Sequence, residues 1–263
     1  MPPLTMLLMV SGVVILVMLI LWALQCRWGN AAWVDIAWAC CTSISGIFLI
    51  LQVSSPLERR VLAAVLAGAW GLRLSVYLGL RLHRHGGDSR YESMERKYEG
   101  RLQRFYFGFF MLQGVAAALY AMPMMASAVG PWPSPWAIVG SVTVVLGISM
   151  VTIADLQLAA FKKTHADSSA LCNRGLWSWS RHPNYFFEWL TWCGWAIMAV
   201  DGTAWWIGLG GAGLMLYFLL KVSGIPHVER EAIRKRGDAY LEYQRSTSMF
   251  IPWPPRSGKV DHR

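Results

Sequence analysis

The sequence predicts an all-α integral membrane protein: seven transmembrane helices with cytoplasmic interfacial helices, the N-terminus outside and the C-terminus cytoplasmic. Three observations lead there. Of 263 residues, 55% are apolar and only 15% charged, against about 25% charged in a soluble domain. The apolar residues gather into seven windows, and a helix of about 20 apolar residues crosses a hydrocarbon core of about 30 Å. The basic residues are distributed unevenly between the two sides of those windows. The same composition excludes disordered, collagenous and disulfide-stapled chains.

The windows run over about 4–24, 31–53, 61–82, 105–128, 136–161, 185–200 and 203–222. The first carries no charge from Met1 to Gln25. It has neither the positive n-region nor the A-x-A site of a signal peptide, so it reads as a span. Residues 88–104, after the turn Gly86-Gly87-Asp88, are densely charged. They nevertheless set Met94, Tyr98, Leu102 and Phe105 at i, i+4, i+8 and i+11, the pattern of an interfacial amphipathic helix. The sixth window is short, and only Asp201-Gly202 separates it from the seventh, which predicts a tight helical hairpin. A second interfacial helix is expected over 226–245 after Pro226, with Glu229, Glu231 and Arg234 facing water. Residues 1–255 read as one membrane domain and 256–263 as a tail.

The chain holds 24 Lys+Arg against 15 Asp+Glu, a net charge of +9. In a soluble protein that balance suggests nucleic acid. Here 21 of the 24 cations fall in the loops and helix ends on the C-terminal side; Arg59 and Arg60 lie opposite, and Arg73 lies within the third window. The positive-inside rule makes the C-terminal side cytoplasmic. Most of the excess charge is therefore accounted for by orientation, and no nucleic-acid partner is expected. The five cysteines, Cys26, Cys40, Cys41, Cys172 and Cys193, are odd in number and lack C-x-x-C spacing, as packing residues would.

Asp35, Arg73, Asp155 and Glu188 lie inside windows, where an ionised side chain costs about 2.5–3.5 kcal/mol at the bilayer centre and marks a functional candidate. All four fall in the cytoplasmic half. Arg73, Tyr77, Arg81 and Arg84 form one helical stripe; Thr152, Asp155 and Lys162 form a second. Arg181, Asn184, Glu188 and Thr191, with Tyr185 beside them, form a third. The three predict a polar cavity among the second, third, fifth and sixth spans, open to the cytoplasm. Its mouth would carry Arg90, Lys162, Lys163, Arg174, Arg181, His182 and His227, accompanied by Tyr91, Asn184, Tyr185, Tyr240 and Tyr243. So many cations beside stacking and amide groups suit a phosphorylated dinucleotide such as NADPH better than S-adenosylmethionine. The formal fingerprint Gly208-x-Gly210-x-x-Gly213 lies inside a span, without the strand that a dinucleotide loop needs, and reads as helix packing. The six histidines make no H-x-x-x-H or H-E-x-x-H pair, so no metal centre is expected, and no G-x-S-x-G elbow occurs.

Trp33-Val-Asp-Ile-Ala-Trp38, Trp70-Gly-Leu-Arg-Leu-Ser75, Asp88-Ser-Arg-Tyr91, Gly175-Leu-Trp-Ser-Trp-Ser-Arg-His-Pro-Asn-Tyr185 with Glu188-Trp189, and Ser223-Gly-Ile-Pro226 leading to Phe250-Ile-Pro252 resemble the bacterial branch of the steroid 5α-reductase family. The likeness runs from about residue 30 to 255. Arg-His-Pro-x-Tyr is shared with isoprenylcysteine carboxyl methyltransferases; Asn184 with Glu188 is more specific to the reductases. The resemblance implies a seven-helix bacterial inner-membrane enzyme that uses NADPH to reduce the 4,5 double bond of a 3-oxo-4-ene steroid or similar apolar enone. It implies cofactor contacts at Arg181, Asn184, Asp155 and Lys162, and an active-site role for Glu188. Asp35 matches an acidic residue on the second helix, though Val34 stands where the family has glutamine. Trp70 falls at the place of the family's proton-donating tyrosine, leaving Tyr77 and Tyr91 as alternatives. Two rival readings remain: a methyltransferase using S-adenosylmethionine, and a non-enzymatic lipid-binding or scaffold protein. Beyond substrate and membrane lipids, no obligate protein partner is expected.

Overall fold

A computed structural model describes residues 3–85, 89–165, 170–222 and 224–255. The Gly86-Gly87-Asp88 turn, Ser223 and the 256–263 tail lie outside the described residues, as do the side chains of Arg84 and His85. The described chain is all helix: α1 Pro3–Trp28, α2 Trp33–Leu51, α3 Leu57–His85, α4 Ser89–Lys97, α5 Leu102–Ser127, α6 Pro135–Thr164, α7 Leu176–Trp179, α8 Pro183–Met198, α9 Trp205–Tyr217, a π-helical turn Phe218–Val222, α10 Ile225–Arg236 and α11 Asp238–Ser246. Among the described residues there is no strand, only an isolated bridge between Ser180 and Ser248.

Six stretches are long and apolar enough to cross a membrane: Thr5–Trp28, Trp33–Leu51, Leu57–His83, Leu102–Ser127, Pro135–Thr164 and Trp205–Arg236. The protein is a membrane protein by that measure. The expected sixth span is α8, whose 16 residues reach about 24 Å, short of a hydrocarbon core. Both expected interfacial helices are broken. Gly100 (φ 75°) turns the chain between α4 and α5, and Gly237 (φ 52°) between α10 and α11. Glycine is the residue that enters this left-handed region without strain. Tyr98 and Phe105 still stack across the first break at 3.9 Å.

The described chain groups into two compact units, each taken by itself. The first comprises Met1–Ser141 and Trp195–Gly211. In its core α1 contributes Val10, Val14 and Met18, one face at i, i+4 and i+8. Against them lie Val34 and Leu49 of α2, Tyr91 of α4, and Tyr106, Phe110, Ala117 and Ala121 of α5. The opposite face of α1, with Leu8, Leu16 and Ile20, is exposed, as a lipid-facing surface would be. At Gly71 α3 comes so near Ser43 of α2 that no Cβ fits, and the Ser43 hydroxyl donates to Ala67 O at 2.8 Å.

One end of this unit is organised by a charge that composition does not single out. Arg59 is fully buried and donates to Ser127 O (3.1 Å), Pro131 O (2.9 Å), Met198 O and Asp201 Oδ1 (2.8 Å). The Ser134 hydroxyl donates to the other Asp201 oxygen. Burial pushes the Asp201 pKa up, but the bonds from Arg59 and Ser134 outweigh it and hold the carboxyl below its ordinary value. Gly130 (φ 141°) lies so close that a Cβ would sit 2.5 Å from the guanidinium. The hairpin expected at Asp201-Gly202 is thus pinned from α3. The glycine run of α9 packs as expected at Gly208, against Ala196 and Ala199, and at Gly211, against Pro123; Gly210 and Gly213 face open space.

The second unit comprises Val142–Gly194 and Ala212–Arg263. At Gly147 α6 meets α8, where a Cβ would collide with the Thr191 hydroxyl and lie 2.8 Å from its backbone nitrogen. Eight residues on from Gly147 is Asp155, and seven back from Thr191 is Asn184, so the antiparallel register brings those two opposite each other. Trp177 donates to Ala154 O at 2.9 Å, seating α7 on α6. Gly175 (φ 59°) must be glycine there, since a Cβ would lie 2.7 Å from the Gln157 amide. The segment after α11 is stitched to the α7–α8 junction: Arg181 N donates to Ser248 O (2.8 Å), Ser180 Oγ to Phe250 O (2.9 Å) and Trp253 N to Trp179 O (2.9 Å).

Candidate functional site

In the first unit the site is built around Asp35. The Asn30 side chain accepts from Ala32 N at 3.0 Å and leads the chain into α2. Asp35 lies in the first turn of that helix, where the positive end of the helix dipole favours a carboxylate. The Arg90 guanidinium pairs with Asp35 Oδ2 at 2.6 Å, and the Tyr91 hydroxyl donates to Oδ1 at 3.0 Å. Both oxygens therefore accept. Consecutive residues of α4 supply both donors, and the Arg90 guanidinium also lies 5.7 Å from the Tyr91 ring. Tyr91 is buried against Tyr106 (6.4 Å) and Phe109 (6.2 Å), so its hydroxyl is a polar tip on an apolar wall. Of the α3 stripe, the Arg73 guanidinium stands 5.3 Å over the Tyr77 ring.

In the second unit Asp155 and Asn184, which the sequence places on separate helical stripes, are paired with each other. Asn184 Nδ2 donates to Asp155 Oδ1 at 3.2 Å, and Asn184 Oδ1 accepts from Tyr185 N at 3.0 Å, which fixes the amide's orientation. Pro183 opens α8, where its missing N–H costs no hydrogen bond. One turn beyond Asn184, Glu188 Oε1 accepts from the buried Trp192 indole at 3.2 Å. Burial raises the Cys172 thiol's pKa, and a hydrogen bond from the Arg174 backbone together with the charges of Arg174 and Lys162 pulls it partly back. Lys163 and Arg174 are exposed. His227 Nε2 is buried with no hydrogen-bond partner among the described residues.

Three expected cofactor residues have other partners. Arg181 Nε donates to Glu229 Oε1 at 2.7 Å, and its Nη1 donates to the carbonyls of Gln244 (3.0 Å) and Thr247 (2.7 Å). His182 Nε2 lies 3.2 Å from Glu229, the Tyr240 hydroxyl 3.4 Å, and Gln244 Nε2 donates at 2.9 Å. The His182 ring stacks on Tyr185 at 5.5 Å. Glu229, expected to face water, is instead the hub that ties α10 and α11 to the start of α8. Nothing local could reveal it, because Arg181 lies 48 residues earlier in the chain.

The hub has a pH signature. Burial lowers the His182 pKa from 6.5; Glu229 opposes this and Arg181 adds to it, with burial the largest. An imidazole kept neutral when folded takes up protons on unfolding, so its contribution falls as pH drops below 6.5. Hydrogen-exchange protection factors over residues 225–246, taken relative to the intrinsic rate at each pH, are expected to be smaller at pH 5 than at pH 7.5, and His182→Asn to flatten that difference.

No curated protein and no solved structure matches the chain. A family model matches residues 21–247, which takes in α2 through α11 and every side chain of the candidate site. The chain belongs to that family, described as protein of unknown function (DUF1295).

Proposed function

We propose that the chain is an NADPH-dependent reductase of apolar enones, of which 3-oxo-4-ene steroids are the type. The observation that carries this reading is the buried Tyr91 hydroxyl held by Asp35 at 3.0 Å, a proton donor on an apolar wall. The family's association with steroid 5α-reductase-like proteins agrees with it. The residues of the second unit fit the cofactor. Asn184 is an oriented amide, Lys162 and Arg174 act on one locus, and His227 has a buried nitrogen without a partner among the described residues. Lys162, Lys163, Arg174 and His227 would hold its phosphates, and Asp155 with Asn184 a polar edge of its nicotinamide half. Arg181, His182 and Tyr240 would support this surface through Glu229.

NADPH supplies hydride to the enone β-carbon. As negative charge develops on the carbonyl oxygen, the Tyr91 hydroxyl turns from Asp35 to that oxygen, and such a preorganised donor stabilises the transition state. Arg90 keeps Asp35 in place. Glu188, one turn from Asn184, would border the nicotinamide half of the cofactor. The methyltransferase reading would assign Glu229 to its ligand, but that carboxylate already has Arg181, His182, Tyr240 and Gln244 around it. In this proposal α8 crosses a locally thinned bilayer as the sixth of seven spans. The cation bias then sets the N-terminus outside and the C-terminus and cofactor mouth in the cytoplasm, in a bacterial inner membrane.

The test is NADPH oxidation in detergent against a panel of 3-oxo-4-ene steroids and simpler enones, alongside titration with S-adenosylmethionine. Tight S-adenosylmethionine binding without NADPH binding would reverse the assignment. Glu188→Gln is expected to lose turnover while retaining NADPH binding, and unchanged turnover would remove Glu188 from the site.

A further inference from the structure

Seven tryptophans are exposed among the described residues, and none of them sits in the middle of a span. Trp28 ends α1, Trp33 opens α2, Trp136 is the second residue of α6, Trp179 ends α7, and Trp205 and Trp206 open α9. That is the distribution of residues anchored at the level of lipid headgroups, where an indole keeps its apolar body dry and its N–H wet. The seventh, Trp253, belongs to no helix. It lies in the segment after α11, outside every apolar window of the sequence, and is the most exposed of the seven at 68%.

The segment around it has two faces. Phe250 points inward, 8% exposed, and packs on Phe186 (5.6 Å) and Trp189 (5.7 Å). Met249, Ile251 and Trp253 alternate with it and face out, as does Trp179, whose carbonyl accepts from Trp253 N at 2.9 Å. The backbone donors are accounted for as well. Pro252, Pro254 and Pro255 have no N–H, and the one donor among them, Trp253 N, is taken up by Trp179. From Pro252 to Pro255 no backbone N–H therefore needs water, a condition that lipid imposes and an aqueous loop does not. Their carbonyls still accept, which suits the hydrated headgroup level and not the hydrocarbon. The level agrees with the helix beneath. α6 carries no charge from Pro135 to Ala154, and Asp155 follows. Trp177 donates to Ala154 O, so α7 and the segment fastened to it dock where that apolar stretch ends.

We infer that Met249, Ile251, Trp253 and Trp179 form an interfacial anchor, which seats this segment in the headgroup layer of the bilayer at the Pro183 end of α8. The partner is the lipid surface, and the contact does not depend on the reductase reading.

The test uses the full chain in phosphatidylcholine vesicles, with the substitution Trp253→5-hydroxytryptophan, so that red-edge excitation reads that ring apart from the other tryptophans. The change adds one oxygen to an exposed ring and leaves Phe250 and the backbone bonds in place. Phosphatidylcholine brominated near the headgroup is expected to quench the ring about twofold more strongly than lipid brominated near the chain ends, since interfacial indoles sit at headgroup level. In a second variant, Ile251→p-benzoylphenylalanine, irradiation is expected to give lipid adducts. Quenching by neither lipid, or stronger quenching by the deep bromines, overturns the anchor. Crosslinks from position 251 to a second copy in place of lipid adducts do so too, and assign the face to self-association.

Discussion

Replacing Tyr91 with Phe is expected to lower kcat for enone reduction by about 100- to 10,000-fold, the range for losing a positioned general acid, while the NADPH Kd stays unchanged. The variant keeps the ring that packs on Tyr106 and Phe109 and loses only the oxygen that Asp35 holds. Folding is therefore preserved and the change falls on chemistry. Asp35→Asn should follow in the same direction with a smaller loss, because the hydroxyl survives but the charged acceptor that positions it and pairs with Arg90 does not. Single-turnover NADPH oxidation reads the step directly. If Tyr91→Phe retains kcat within about twofold, the donor passes to Tyr77, the other tyrosine the sequence offers.

Arg59→Ala is expected to be the most destabilising single change outside the site. It would strip the half-buried Asp201 carboxylate of its ion pair and leave the buried carbonyls of Ser127 and Met198, and that of Pro131, without their donor. Removing one partner of a buried pair costs about 3–5 kcal/mol, because the remaining charge stays desolvated. Thermal unfolding in detergent should show a large fall in Tm, or no folded protein at all. Asp201→Asn keeps a hydrogen-bonding oxygen and should cost less. Arg59→Lys should rescue only in part, since an ammonium cannot reproduce the planar fork that meets four acceptors. A Tm shift of under about 2 °C in Arg59→Ala would show that the guanidinium does not carry this end of the fold.

Hydropathy located helices at each window, six of them among the described residues long and apolar enough to cross a membrane, because an apolar run of about 20 residues is a local property. The observed ends, such as Leu57 for α3 and Thr164 for α6, extend past the windows wherever charged or polar residues continue the helix. The interfacial helices were legible as amphipathic stripes, but their breaks were not. Gly100 and Gly237 look like any other glycine until the chain must turn there. Within the candidate site, helical spacing singled out Asp155, Asn184 and Asp35, but the Asn184–Asp155 and Tyr91–Asp35 bonds depend on packing between helices that no spacing within one helix specifies. The Glu229 hub and the Arg59 knot were invisible for one reason: each joins residues 40 or more positions apart, and neither the charge count nor the spacing distinguishes a buried cation from one that merely sets orientation. Arg59 counted as one of two outer cations; it is a structural centre.

The stitching of residues 248–253 onto the α7–α8 junction has a consequence for the order of assembly during synthesis. Asp155, Asn184 and Glu188 all leave the ribosome well before the segment that fastens the start of α8, since the bonds between Arg181 and Ser248 and between Trp179 and Trp253 span 67 and 74 positions. At roughly 5–20 residues per second, that is a delay of about 3–15 s. Throughout it the start of α8 lacks its final clasp, and the polar pair between α6 and α8 is held by the Gly147–Thr191 contact. The segment after α11 is thus the one that closes the second unit.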